Sequence, residues 1–228
     1  MIRLQVMHLN VGERRTVQHS LLNDKGIQDF DAIAVVEPYI YQHPETREPT
    51  ITPDRRWQIF TPTLRREDGH GRHAFRAAVW VKNSYRVEQV QMDGDGEVAV
   101  ILPLPECNLL LIAGYEARAG RAEGKAEREA DLARQLGRIR AAIGRSRFQA
   151  QSKPVEVLVC ADFNRHHMLW GGLRAWMEHS RRHEGDPIVD LMQEAGLYSL
   201  LPEGTLTWEH QTSDLASTVD LMPETQEI

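Results

Sequence analysis

Residues 155–172, "VEVLVCADFNRHHMLWGG", decide how this chain is read. Val155, Val157, Leu158 and Val159 form an apolar run of strand length, nearly continuous, as expected for a strand buried on both faces. At its end the character changes abruptly: Asp162, Asn164, His166 and His167 follow, then Trp170 and two glycines. In α/β folds such strand ends carry chemistry, because the rigid sheet fixes the position of whatever side chains leave it.

Working outward, three more apolar runs end in the same way. "RLQVMHLNV" (3–11) delivers His8 and Asn10, "DAIAVVE" (31–37) delivers Glu37, and "NLLLIAGY" (108–115) delivers Tyr115. Further strands are predicted at 75–82, 86–92, 97–103, 205–210 and 217–222, each bounded by Gly, Pro, Asp or Asn. Helices are predicted between them. Residues 15–28 carry Val17, Leu21 and Leu22. Residues 123–147 place Leu132, Leu136, Ile139 and Ile143 on one face. A third helix has Asp186 as N-cap, Pro187 at its first position and Gly196 as its stop. Residues 41–56 and 62–73 read as loops. The simplest architecture is one α/β (α+β) domain over 1–228, with two sheets packed on each other and helices on both outer faces.

The totals limit the function. A 228-residue chain with 41% hydrophobic and 26% charged residues is ordinary for a globular protein. A net charge of -6 excludes a surface coated in basic residues, though not a local basic groove. Cys107 and Cys160 are the two cysteines, and both adjoin apolar runs, so they read as reduced thiols and not as a disulfide or zinc framework. No apolar run reaches the ~20 residues needed to span a bilayer. The N-terminus begins directly as a strand, without the form of a signal peptide. An intracellular protein without membrane association is expected, with the choice between nucleus and cytoplasm open. P-loop, GxGxxG and G-x-S-x-G motifs are missing, which removes support for nucleotide-binding and serine-hydrolase readings. Carboxylates and carboxamides at strand ends are hard oxygen ligands suited to magnesium or manganese.

Residue by residue, plainer readings stand beside these. Glu37 can cap a loop, Asn10 can be a turn residue, and Asp162 with Asn164 can form an Asx-type turn. "HSRRH" (179–183) has two imidazoles at helical spacing and reads as a solvated face. His70 and His73 lie in a polar loop.

In order, the motifs "LQVMHLN", "VVEPY", "RAAVWV", "LLLIAGY", "VLVCADFNRHHMLWGG", "LLPEGTLTW" and "STVDL" resemble the endonuclease/exonuclease/phosphatase family. The resemblance is to its branch of non-LTR retrotransposon endonuclease domains and related fungal proteins. The string running from Asp162 to Gly171 is its most specific part. The resemblance implies a two-sheet sandwich flanked by helices, and cleavage of phosphodiester or phosphomonoester bonds with Mg2+, or Mn2+ in its place. It implies Glu37 as metal ligand, Asn10 as the amide supporting metal and phosphate, and Tyr115 as a phosphate contact. Asp162 becomes the acid that handles a proton, and Asn164 the amide that holds the phosphate or attacking water. His166, His167, Thr207 and Trp208 fall beside the substrate, and Asp220 resembles the aspartate that orients a catalytic histidine. The implied partner is nucleic acid, with DNA favoured over RNA; oligomeric state is open.

The family continues past the Asp220 strand with a Ser-Asp-His motif and a further strand, whereas this sequence reads "STVDLMPETQEI". The expectation is a truncated copy lacking the terminal strand, with a sheet edge exposed and activity impaired; the other explanation is that His166 or His167 substitutes for the missing histidine. Two alternatives stay open: a catalytically inactive relic that binds nucleic acid or a protein partner, and a related phosphatase acting on a small molecule.

Overall fold

Apolar strands too short to hide both faces alone are buried here by stacking two sheets and covering each with helices. A computed structural model describes residues 4–64, 74–116, 124–150, 153–177, 183–209, 216–217 and 220–225. In chain order the first elements are β1 (Val6–Asn10), α1 (Arg15–Asn23), a 3-10 turn (Lys25–Asp29), β2 (Ala32–Val36), β3 (Tyr41–Gln42), β4 (Pro49–Thr50), β5 (Trp57–Phe60) and β6 (Ala77–Lys82). There follow β7 (Glu88–Val90), β8 (Glu97–Pro103), β9 (Asn108–Tyr115), α2 (Lys125–Gln149), β10 (Val155–Asp162), α3 (Met168–Met177) and α4 (Asp186–Ala195). The last are β11 (Leu197–Ser199), β12 (Trp208–Glu209), β13 (Ala216–Ser217), β14 (Asp220–Leu221) and β15 (Pro223–Thr225).

The first sheet has the order β1-β2-β6-β5, with β1 parallel to β2 and the other pairs antiparallel. The second runs β11-β15-β10-β9-β8-β7, with β14 also pairing β10. Its centre is the parallel pair β9 and β10, joined through α2; its flanks are antiparallel. Because side chains alternate across a strand, each sheet divides its residues between two layers. Ala32, Ala34, Val79 and Val81 meet Val98, Val100, Leu111, Leu158 and Cys160 between the sheets. Ile33, Val35 and Trp80 face outward and are covered by Leu22, Ile27 and Trp57. Leu110, Ile112, Val157 and Val159 are covered by Leu132, Leu136 and Ile139 of α2 and by Ile188 and Leu191 of α4. The expected fold class holds: an α/β two-sheet core with helices on both outer faces.

Several local expectations shift. The helix expected over 15–28 stops at Asn23, and Asp24 starts the 3-10 turn by accepting the Gly26 N–H at 2.8 Å. The loop expected over 41–56 contains the two-residue ladder of β3 and β4. β5 lacks strict alternation and was not anticipated, and neither was α3. Asp186 is the first residue of α4 and Gly185 its N-cap, a shift of one position. Gly196 ends that helix in the left-handed conformation at φ 68°, as the sequence predicts.

Gly185 marks a close approach. A Cβ there would lie 2.5 Å from Cη2 of Trp170 and 2.7 Å from Cβ of His167. Gly185→Ala should therefore overpack this corner and cost about 1–3 kcal/mol. Urea denaturation checks this; a midpoint equal to that of the parent protein would show that the corner yields freely.

Candidate active site

The strand ends meet across the sandwich. β1 and β2 run parallel and in register, so Asn10 lies opposite Val36 and Glu37 follows one residue beyond. In the second sheet Tyr115 and Asp162 are direct register partners at the ends of β9 and β10. The two sheets are then joined at this edge: Nδ2 of Asn10 donates to Oδ2 of Asp162 at 3.1 Å. The same carboxamide accepts the Gly12 N–H on its oxygen at 2.8 Å, which fixes which way the amide points.

Asp162 is a buried carboxylate aimed by donors. Its second oxygen accepts the Asn164 N–H at 3.0 Å, closing an Asx-type turn. That turn and a role in chemistry are compatible, because the turn is what carries Asn164 back over the strand end. Asn164 sits at φ 50°, a left-handed conformation that asparagine tolerates better than most residues. Its Nδ2 donates to the Glu116 carbonyl at 2.8 Å.

Glu37 is also left-handed, at φ 46°, which is uncommon for a residue of its kind. Two main-chain bonds hold it there: its N–H donates to the Arg76 carbonyl at 2.9 Å, and its carbonyl accepts the Glu13 N–H at 2.8 Å. The Arg76 guanidinium lies 2.6 Å from the Glu13 carboxylate and 3.9 Å from that of Glu37. It also stands over the Tyr115 ring, 5.7 Å from the centroid. Burial, then the hydrogen bond and charge of Glu37 and the charge of Asp162, push the Tyr115 phenol far above its usual range. Tyr115 is thus a neutral donor at any physiological pH. Below this layer His8 shares the Asn10 side of β1. Burial pulls its imidazole down to about 4, and its Nε2 has no partner among the described residues.

The site thus assembles Asn10, Glu37, Tyr115, Asp162 and Asn164. Asp220 is brought to the same strand end, since its main chain is the register partner of Asp162. Thr207 lies in the segment leading into β12, and Trp208 begins that strand. The two adjacent histidines lie in the loop after β10. His167 is tied inward: its Nδ1 accepts the Leu169 N–H at 3.1 Å, its Nε2 lies 3.3 Å from Asp186, and its ring lies 5.0 Å from that of Trp170. Burial lowers its pKa, with Asp186 pulling the other way. It fastens α4 to the loop after β10. The His166 carbonyl accepts the Gly185 N–H at 3.1 Å, which adds to the same fastening. His183 of the "HSRRH" run is largely exposed and bonds Asp186 at 3.0 Å; His70, His73 and His179 lie outside the described residues.

The structure adds Arg76 and Glu13 to the residues of this site. A signal existed: both lie within three residues of a motif at a strand end. The charge balance around them is informative. Glu13 and Glu37 flank Arg76, and the charges of Glu37 and Asp162 both reach Tyr115. The carboxylate oxygens of Glu37 and Asp162 are hard donors of the kind a divalent cation prefers. No cluster of three His, Cys, Asp or Glu in ligating geometry occurs among the described residues. A magnesium ion needs no such cage, since water and substrate phosphate complete its shell.

Sheet order and helical cover are those of a fold shared with several solved structures. Residues 137–228, the last two fifths of the chain, match the family model described as endonuclease-reverse transcriptase. The fold is shared with the endonuclease domain of TRAS1, a telomere-specific non-LTR retrotransposon, at 16% identity and TM-score 0.69 over 98% of this chain and 86% of that one. It is shared with the AP endonuclease LMAP from Leishmania major at 12% identity and TM-score 0.65, over 97% and 79%. An AP endonuclease from Archaeoglobus fulgidus aligns at 12% identity and TM-score 0.63, over 98% and 87%. No curated protein matches the chain. Among the described residues no helix is long and apolar enough to cross a membrane.

Proposed function

We propose that this protein is a magnesium-dependent phosphodiesterase acting on nucleic acid, an endonuclease of the retrotransposon type, with DNA as the favoured substrate. The observation that carries the reading is the bond between Asn10 and Asp162, which sets an aimed carboxylate beside Glu37, Tyr115 and Arg76. Hydrolysis of a phosphodiester needs a positioned phosphate, a base for the attacking water and relief of charge on the phosphoryl oxygens.

The residues divide these tasks. Glu37, with the Asn10 carboxamide oxygen, would hold the cation. When bound, the cation supplies Lewis-acid stabilisation of the phosphoryl oxygens. Asp162 receives the proton from the attacking water, its carboxylate held by Asn10 and by the Asn164 main chain. The neutral Tyr115 phenol and the Asn164 carboxamide donate to phosphate oxygens without adding charge that must be desolvated. Arg76 neutralises Glu13 and part of Glu37, and its guanidinium suits a phosphate oxygen in the same place. His166, Thr207 and Trp208 are assigned to substrate contact, and Asp220 to the catalytic set.

Plasmid nicking tests this. Nicking is expected with Mg2+, none with EDTA, and a strong loss in Glu37→Gln. Nicking that persists equally in EDTA and in the variant would overturn the proposal. Release of phosphate from small phosphorylated compounds, with DNA left intact, would move the substrate from nucleic acid to a small molecule.

A further inference from the structure

The loop that carries Asn164 is held by more than its Asx turn. Residue 116 grips both Asn164 and its neighbour. The Glu116 carbonyl accepts Nδ2 of Asn164 at 2.8 Å, and the Glu116 N–H donates to the Asp162 carbonyl at 2.9 Å. The Glu116 side chain pairs with the guanidinium of Arg165, in a contact where both side chains are about nine-tenths buried, 8% and 11% exposed. Arg165 donates further to the Arg128 carbonyl in α2 at 3.1 Å, and its own carbonyl accepts the Trp170 indole N–H at 3.1 Å. The loop after β10 is thereby tied to β9, to α2 and to α3 through one residue.

Such a pair is not explained by stability alone. A buried ion pair contributes little net stabilisation against an apolar replacement, because both ions lose their water. Its firmer use is to enforce one geometry. Here the geometry at stake is the left-handed Asn164, which costs energy and relaxes unless its surroundings over-determine it.

We propose that Glu116 and Arg165 are positioning residues for the reaction: their buried pair holds Asn164 in the orientation that presents its carboxamide to the phosphate. The inference rests on the phosphodiesterase reading of the same site. Neither residue touches the reacting atoms; both act through Asn164.

A double-mutant cycle separates this role from a merely structural one. Arg165→Ala should lower kcat on the order of 10²-fold, the scale of a small misplacement of a reacting group. In an Asn164→Ala background the same substitution should change kcat by less than about threefold, because the group it positions is gone. Arg165→Lys should restore part of the loss. Equal losses in both backgrounds, or a parental kcat in Arg165→Ala, would overturn the inference. Amide hydrogen exchange over residues 163–167 gives a readout that needs no activity, and Arg165→Ala should speed it. If the parent cleaves no nucleic acid, the phosphodiesterase proposal fails by itself. The positioning role then fails with it, and exchange reports only whether the pair restrains the loop; with an active parent, unchanged exchange in Arg165→Ala would overturn the inference.

Discussion

Asp162→Asn is expected to lower the rate of DNA cleavage by on the order of 10² to 10⁴, the range for removing a general base. The substitution keeps the volume of a residue buried to 4% exposure, so no cavity opens. What changes is the proton inventory. The carboxylate accepts from two donors, Nδ2 of Asn10 and the N–H of Asn164. An amide offers only one oxygen, so one donor must face an NH2 group whichever way the amide turns. The variant loses the proposed base and part of the link between the sheets at once. Single-turnover nicking at saturating Mg2+ measures the chemical step, and circular dichroism checks that the fold remains. A rate equal to the parent's would remove Asp162 from the proton transfer.

Trp170→Ala should be the most destabilising single change near the site, at about 3–5 kcal/mol. The indole is 1% exposed in the core that α2, α4 and β10 share. Its N–H is bonded to the Arg165 carbonyl, its own carbonyl accepts the Gly204 N–H at 2.8 Å, and Gly185 packs against its ring. Truncation leaves a cavity among apolar side chains and removes the donor from a part-buried carbonyl. For a chain of this size each kcal/mol shifts Tm by roughly 2–4 °C, so a fall of about 6–20 °C is expected. Trp170→Phe keeps most of the ring and isolates the cost of the lost N–H. A Tm unchanged in Trp170→Ala would mean that α3 does not depend on this contact.

The strand framework was legible because periodicity records burial. The near-continuous apolar runs at 31–37 and 155–161 are buried on both faces, as read. β5 was missed because Trp57 to Phe60 alternates polar and apolar only once, and its strand character comes from pairing with β6. α3 was missed because "MLWGG" contains two glycines, and Gly172 is indeed non-helical at φ 59°. Local propensity is weak evidence where tertiary contacts decide. Among site residues, Asn10, Glu37, Tyr115, Asp162 and Asn164 stood out as polar groups ending apolar runs. Arg76, Glu116 and Arg165 did not, because an arginine beside a strand or a glutamate after one is ordinary until its partner is known.

By itself the sequence determined which strands lie in the core, which strand ends are polar and which residue types those ends carry, since hydrophobic pattern and turn chemistry are local. The resemblance to a nuclease fold follows from the order of those motifs. Only the tertiary structure decided what those groups meet. Asn10 and Asp162 are 152 residues apart and bond because two sheets stack. His167 turns toward Asp186 and Trp170 because α4 docks there. Glu116 holds Arg165 because β9 and β10 are parallel partners ending side by side. Contacts between distant residues carry no periodic signature in a single chain, so the directions of these side chains, and with them the chemistry proposed for the site, depend on packing.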